Sequence, residues 1–441
     1  MDVAGGFYMN TNQKLQRWLP CKSRCEMAGA ASFFLSLKDC VILINGPRWC
    51  ATIAEREMAR VEKKYERRIF CSEVKEIDLL YGADDALLLA LEEVKKECNP
   101  KMIAVINSCS VSLIGDDIQG ICHRANLACE IIAVDAGGLK GEFWEGYQEA
   151  LDKILDLVTA KVKVKKEVVR KNRVNLFGWC NNYPNWQGDL AEIKRMLISS
   201  GIEVGVCLGA DETSLAEMMQ LPLAACNIVL APELGVEAAK RLAEEWGQDY
   251  LIAPTPYGMQ CSIAWLNRIA EKLQINICTE KLETEIDINQ EKLDQAIFQL
   301  KADYKNFGFG DVYLTLPYGV AYGIVAALKT EFPEFNDIYL KIEGPNKAEY
   351  PMIQGVRAWQ VKQDTLSVEE TGISLVLGDW QTRLEVGQYD RMIFKNFLMP
   401  MQGVPVAERP YAGVLGWKHF MAEVIEVFHM IAYLHPAKVE K

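Results

Sequence analysis

Short, unbroken apolar runs alternate with amphipathic stretches of helical period along nearly the whole of this 441-residue chain. A run without polar alternation marks a strand buried on both faces, and such strands belong to parallel sheets covered by helices. In the first part of the chain, runs near 41–45, 102–107 and 131–136 are separated by helical stretches such as 84–97 and 144–158. A second block opens at Val174-Asn-Leu-Phe-Gly178. It continues through a helix over 188–200, strands over 203–208 and 227–231, a helix over 235–246 and a strand over 250–253. A charged helix over 278–301 leads to a third block. There, strands are expected near 312–316, 338–342, 373–377 and 391–394, and a long helix over about 416–433. The fold class is therefore α/β, with three Rossmann-like (flavodoxin-like) parallel-sheet domains in series at 1–170, 171–300 and 301–441.

Half of the residues are apolar and only 16 are proline, so the chain can build several cores. A formal charge of -12 excludes nucleic acid or an anionic membrane surface as the main partner. The basic run Lys161 to Arg173 is a local exception. It reads as a solvated inter-domain linker in preference to a docking patch for an acidic partner. The N-terminus lacks a basic-then-apolar signal and charges interrupt every long apolar stretch, so a cytoplasmic location without a membrane span is expected. In that setting the 14 cysteines stay reduced, as core residues or metal ligands.

Three cysteines sit in short turns that an α/β layer aims at one place. Cys50 follows the run Val41-Ile-Leu-Ile-Asn-Gly-Pro-Arg-Trp49. Cys109 follows Met102-Ile-Ala-Val-Ile-Asn-Ser108, and Cys25 opens a helix beginning at Glu26. Ligands of a doubly wound sheet gather outside the carboxyl ends of its strands. A helix N-terminus favours thiolate, the form that binds metal. Three converging thiolates suit an iron–sulfur cluster, although intervals of 25 and 59 residues form no standard local motif. Gly46, Pro47 and Gly115 are the accompanying cofactor-binding candidates. The Gly46-Pro47 turn would let backbone N–H groups approach a cluster. Cys21 is a possible fourth ligand, with a surface loop thiol the simpler reading. Asp116-Asp117 reads as negative charge on a helix start before it reads as a metal site. Cys122 and Cys129, seven apart on one expected helix, read as core, as does Cys226. The four histidines His123, His419, His429 and His435 have no metal-ligand spacing with a carboxylate. No catalytic acid can be assigned. Neither a G-x-x-x-x-G-K-[ST] loop nor a strand-borne G-x-G-x-x-G is present, so the chain is not expected to bind ATP or a dinucleotide itself.

The succession Cys25-Glu-Met-Ala-Gly-Ala30, Asn45-Gly-Pro-Arg-Trp-Cys50 and Cys109-Ser-Val-Ser-Leu-Ile-Gly-Asp-Asp-Ile118 resembles the nitrogenase component 1 family. That family includes the dinitrogenase chains, their cofactor-assembly scaffolds and the dark-operative protochlorophyllide and chlorin reductases. The segments Val174 to Gly178, Asp189 to Leu197, Asn227 to Gly235 and Arg409 to Gly413 extend the resemblance over nearly the full chain. It implies a subunit that pairs with a like subunit in a homo- or hetero-oligomer. Cys25, Cys50 and Cys109 would supply this chain's share of an interfacial iron–sulfur cluster, either [4Fe–4S] or P-cluster-like [8Fe–7S]. Electrons would come from a separate ATP-hydrolysing, nitrogenase-reductase-type iron protein.

Two departures matter. Trp49 stands where the family's His-Gly-Pro-x-Gly-Cys turn has glycine. The positions at which the catalytic dinitrogenase chain ligates its cofactor fall at Ala231 and near Ala407, which cannot ligate, so the chain looks β-type. The expected function is the iron–sulfur subunit of a nitrogenase-like oxidoreductase. The alternative is a scaffold for metallocluster assembly, and a cluster-free interaction protein, favoured only by Trp49, comes third.

Overall fold

The computed structural model describes residues 25–61, 63–139, 141–163, 169–183, 185–210, 213–304, 308–345, 353–354, 356–358, 373–379, 382, 393–397 and 409–434. Cys21, Ala407 and His435 lie outside them.

The first sheet contains β1 (Cys40–Asn45), β2 (Ile69–Cys71), β3 (Met102–Asn107) and β4 (Glu130–Val134), all parallel, in the order β2-β1-β3-β4. Every residue of β1 and β3 is buried, which is why both read as unbroken apolar runs. Helices α1 (Glu26–Leu35), α2 (Arg48–Val61), α3 (Asp78–Tyr81), α4 (Asp84–Cys98), α5 (Cys109–Ile114), α6 (Ile118–Ala125) and α7 (Phe143–Lys161) surround it. All ten residues of α1 are buried. It crosses α7 in near backbone contact: a Cβ on Gly29 would stand 1.8 Å from the Phe143 carbonyl oxygen, and one on Gly146 1.9 Å from that of Glu26. Only glycine permits this approach.

The middle sheet holds β5 (Arg170–Phe177), β6 (Glu203–Cys207), β7 (Ala224–Val229) and β8 (Asp249–Ile252) in the order β6-β5-β7-β8. Its helices are α8 (Trp186–Ser199), α9 (Leu215–Met218), α10 (Pro232–Trp246) and α11 (Met259–Leu273), and α12 (Glu280–Asp303) leads onward. The third sheet is β11-β10-β9-β12-β13, built from β9 (Asp311–Pro317), β10 (Ile338–Glu343), β11 (Arg357–Ala358), β12 (Ile373–Gly378) and β13 (Ile393–Asn396). Helices α13 (Tyr318–Glu331) and α14 (Gly413–Leu434) pack on it. One core joins the first and middle sheets through residues such as Phe177, Val229 and Ala231, and a second joins the middle and third sheets. The start of α14 is held by carboxylates of α8. Asp189 Oδ1 accepts from the N–H groups of Tyr411 (2.5 Å) and Ala412 (2.9 Å), and Glu192 Oε1 from that of Leu415 (3.0 Å). Among the described residues no helix is long and apolar enough to cross a membrane.

Two expectations need correction. The basic run is not linker to its end: Arg170 and Arg173 lie within β5 and pair with Glu203 across the ladder at 2.9 and 3.0 Å. Cys129 is not on the helix of Cys122, because α6 ends at Ala125 and Asn126 takes the left-handed cap. Both cysteines still pack into one apolar cluster, and Cys226 is buried in β7.

Candidate iron–sulfur site

In the first sheet the chain passes from β1 outward to β2, then returns across β1 to β3. The switch point, where loops of adjacent strands diverge and leave a crevice, therefore lies between β1 and β3. Cys50 follows β1, in the first turn of α2, and Cys109 follows β3 as the first residue of α5. Cys25 caps the start of α1, and its carbonyl accepts from the N–H of Ala28 at 2.9 Å. An isolated antiparallel bridge from Cys25 to Glu142 brings it to the segment that follows β4. Each of the three cysteines thus stands at a helix start, where the dipole favours thiolate.

The Cys50 and Cys25 thiols are both raised above the ordinary thiol range. Burial, with smaller contributions from Cys109, Cys25 and Cys71, raises the Cys50 thiol to about 11. Cys25 is raised by burial, with Cys109 among the charges that add to it. Converging thiolates repel, and a cationic metal centre between them relieves that repulsion. Gly138 faces the gap, while Gly137 is pressed against Ser112, whose Oγ a Cβ there would meet at 2.3 Å. A Cβ on Gly138 would stand 3.0 Å from Cys25 Cβ and 3.7 Å from Cys109 Sγ, and one on Gly137 3.3 Å from Cys109 Cα. Among the described residues no group of three or more His, Cys, Asp or Glu could hold a single metal ion. A polynuclear cluster, with sulfide between its irons, takes thiolates that stand farther apart, and an all-thiol donor set is the one it uses. The residues present fit such a group.

The loops that carry these cysteines are tied by a polar ladder across all four strand ends. Ser72 Oγ donates to Asn45 Oδ1 (2.9 Å), Asn45 Nδ2 to Asn107 Oδ1 (3.0 Å), Asn107 Nδ2 to Asp135 Oδ1 (3.2 Å) and Ser112 Oγ to Asp135 Oδ1 (2.5 Å). Sequence reading misses this ladder, although an asparagine closing both apolar runs is a visible signal. Gly46 belongs to the same frame: its N–H donates to Ser72 Oγ at 3.0 Å and its carbonyl accepts from Val74 N–H at 3.0 Å. A Cβ there would meet Ser108 Oγ at 2.2 Å. The Pro47 carbonyl accepts from Cys50 N–H at 3.0 Å. Gly115 takes the left-handed cap of α5. Asp117 caps α6 by accepting from Gly120 N–H, and Asp116 accepts from Ala83 N–H, so both carboxylates serve helix geometry.

Exposed apolar side chains lie in the segments that follow the strands of the first sheet. Trp49 is 68% exposed, and Leu80, Tyr81, Leu113 and Leu139 are exposed as well. Each of the four segments that follow β1, β2, β3 and β4 contributes at least one of these side chains.

The equivalent crevice of the middle sheet is lined mainly by aromatic side chains. Gly178 after β5 and Ala231 after β7 meet there, with Trp179, Trp186, Tyr257 and Tyr411 around them. Among the described residues lining it, none carries a thiol or an imidazole.

The family described as nitrogenase component 1 type oxidoreductase matches residues 25–328. The nitrogenase iron-molybdenum cofactor biosynthesis protein NifE of Clostridium pasteurianum is 27% identical over 70% of this chain and 71% of its own length. One subunit of the light-independent protochlorophyllide reductase of Chloroherpeton thalassium is also 27% identical, over 42% of this chain and 33% of its own length. The nitrogenase vanadium-iron protein beta chain of Trichormus variabilis is 24% identical over 56% of each. The solved structure of nitrogenase Cp1 at pH 6.5 superposes with a TM-score of 0.73 over 95% of both chains at 14% identity, which establishes the shared fold. The chain belongs to the nitrogenase component 1 type oxidoreductase family.

Proposed function

We propose that this chain is the iron–sulfur subunit of a nitrogenase-like reductase, with Cys25, Cys50 and Cys109 holding a cluster at the boundary with a like subunit. One observation carries the reading: three cysteines at three helix starts surround the switch-point crevice of the first sheet. Such a cluster, when bound, accepts and passes single electrons at a potential set by hydrogen bonding and solvent access. The chain's own residues ligate it, leave it room at Gly138, and offer exposed apolar side chains such as Trp49 for a partner to cover. With no nucleotide-binding loop in the sequence, ATP-driven electron delivery falls to a separate iron protein. The aromatic lining described beside Ala231, with no thiol or imidazole among its described residues, favours a relay over a cofactor-bearing catalytic chain.

The second reading, a scaffold on which a metallocluster is assembled, is favoured by the NifE relative. Anaerobic purification with any co-purifying partner, iron and sulfide analysis, and EPR of the reduced protein test the first reading. Iron present in the wild type and lost in Cys109→Ala supports a cluster at this crevice, and iron-free protein after reconstitution overturns it. Transfer of bound metal to an apo-enzyme, without reduction of substrate, would decide for the scaffold.

A further inference from the structure

We propose that the polar cavity along the outer edge of the middle sheet, where Lys38, Arg173 and Lys194 meet, binds a small organic dianion, a phosphate monoester or a dicarboxylate.

The cavity lies beside β6, the edge strand of that sheet, and measures about 530 Å3, room for a metabolite-sized molecule. Arg173 reaches it from β5, Lys194 from α8 and Glu217 from α9, whereas Lys38 comes from the segment between α1 and β1. The main chain fixes Lys38 there. Its N–H donates to the Thr213 carbonyl at 3.0 Å, next to the parallel bridge of Leu37 with Thr213, and Leu215 N–H donates to Asp39 Oδ1 at 3.0 Å. Thr213 Oγ1 in turn donates to the Cys207 carbonyl at 2.6 Å, which ties the segment after β6 to the strand's end. A molecule bound here would bridge elements of the first and middle sheets.

The chain as a whole is acidic, but this cavity is not. Glu217 is the one carboxylate among the described residues that line it, and it takes Lys38 at 3.8 Å. Arg173 shares Glu203 with Arg170, at 3.0 and 2.9 Å. Four cations thus stand against two carboxylates, an excess of two positive charges. Arg173 is only 9% exposed. Its Nη1 meets Glu203 and its Nη2 donates to Gln220 Oε1 at 3.2 Å, but its Nε has no hydrogen-bond partner among the described residues. That Nε lies against the cavity wall at Gly205, where a Cβ would stand 2.9 Å from it. A buried donor without an acceptor is costly, and the oxygen of an anion supplies one with a charge-assisted bond.

An extended peptide fits this edge less well than a small anion. The ladder of β5 with β6 shifts register between Val174 and Leu176, and Asn175 Oδ1 takes the Val206 N–H at 2.9 Å. Such a bulge bends an edge strand out of the regular row of donors and acceptors that strand addition needs.

Titration calorimetry and thermal unfolding of the anaerobically purified full-length protein test the site. Glycerol 3-phosphate and malate are the probes, and chloride at matched ionic strength is the control. At least one probe is expected to bind with a Kd below about 1 mM and, at saturation, to raise the melting temperature by about 3 °C or more. Which probe does so assigns the class of dianion. The double variant Lys38→Gln, Lys194→Gln should unfold like wild type without probe and bind at least about tenfold more weakly. Lys194→Gln alone replaces it if the pair fails to fold. Neither probe binding beyond the chloride control, or equal affinity in wild type and variant, overturns the proposal.

Discussion

The side-chain amide of Asn45 donates to that of Asn107 at 3.0 Å, joining the ends of the two strands that flank the cysteine crevice. Both residues are buried. Replacing Asn107 with alanine leaves the Asn45 amide without its acceptor and the Asp135 carboxylate without one of its donors. A buried polar group so stranded costs about 1–3 kcal/mol. Urea unfolding of the apo-protein should register that loss, and Asn107→Ala should also bind less iron. A variant as stable as wild type would show that the ladder is not what ties these loops.

The glycine pair after β4 makes a different demand. A methyl group on Gly138 would enter the gap between Cys25 and Cys109, 3.0 Å from one side chain and 3.7 Å from the other. Gly138→Ala is expected to fold, with a cost of about 1–3 kcal/mol for the crowding, but to lose most of its iron after reconstitution. Full iron occupancy would mean that the metal does not use this gap.

How much of this is legible in the sequence follows from where the residues lie. Val41 to Ile44 and Met102 to Ile106 announce themselves because both faces of their strands are buried. The cysteines that follow them inherit that legibility. The strand Ile69–Cys71 is invisible, because three residues between Arg68 and Ser72 carry no periodic signal. Helix α13 hides for the opposite reason, being apolar nearly all round rather than amphipathic. The contact of Gly138 with Cys25 links residues far apart in sequence, and no local pattern encodes it.

Two buried carboxylic acids make stability depend on pH. Burial lifts Asp189 to about 7, against the N–H groups of Ala412 and Tyr411 that favour its charge and with Glu192 opposing it. Burial likewise lifts Glu233 to about 7. Between about pH 4 and pH 7 the folded chain keeps protons that the unfolded chain has released, so stability falls as pH rises. The slope is about 1.4 kcal/mol per pH unit for each such group, and it ends above the folded value. Melting temperature should therefore drop between pH 5 and pH 7.5. The double variant Asp189→Asn, Glu233→Gln, which keeps a carbonyl acceptor at each position, should flatten that drop. An identical pH profile in the double variant would refute the assignment.

Trp49 replaces glycine in the turn before Cys50, yet its side chain points away from the core, 68% exposed, and Leu113 and Leu139 are exposed as well. An indole so placed would cost solubility in a lone chain and is the kind of anchor that dominates a protein interface. Trp49→Ala is expected to weaken pairing of the two like chains by about 2 kcal/mol, roughly a 30-fold change in Kd, with little effect on the monomer's unfolding. Sedimentation equilibrium of the full chain with its partner measures it. Phe298→Ala, at an equally exposed aromatic on α12, serves as the control and should leave association unchanged. If both variants associate like wild type, the surface beside Cys50 is not the subunit boundary, and a cluster held there would face solvent.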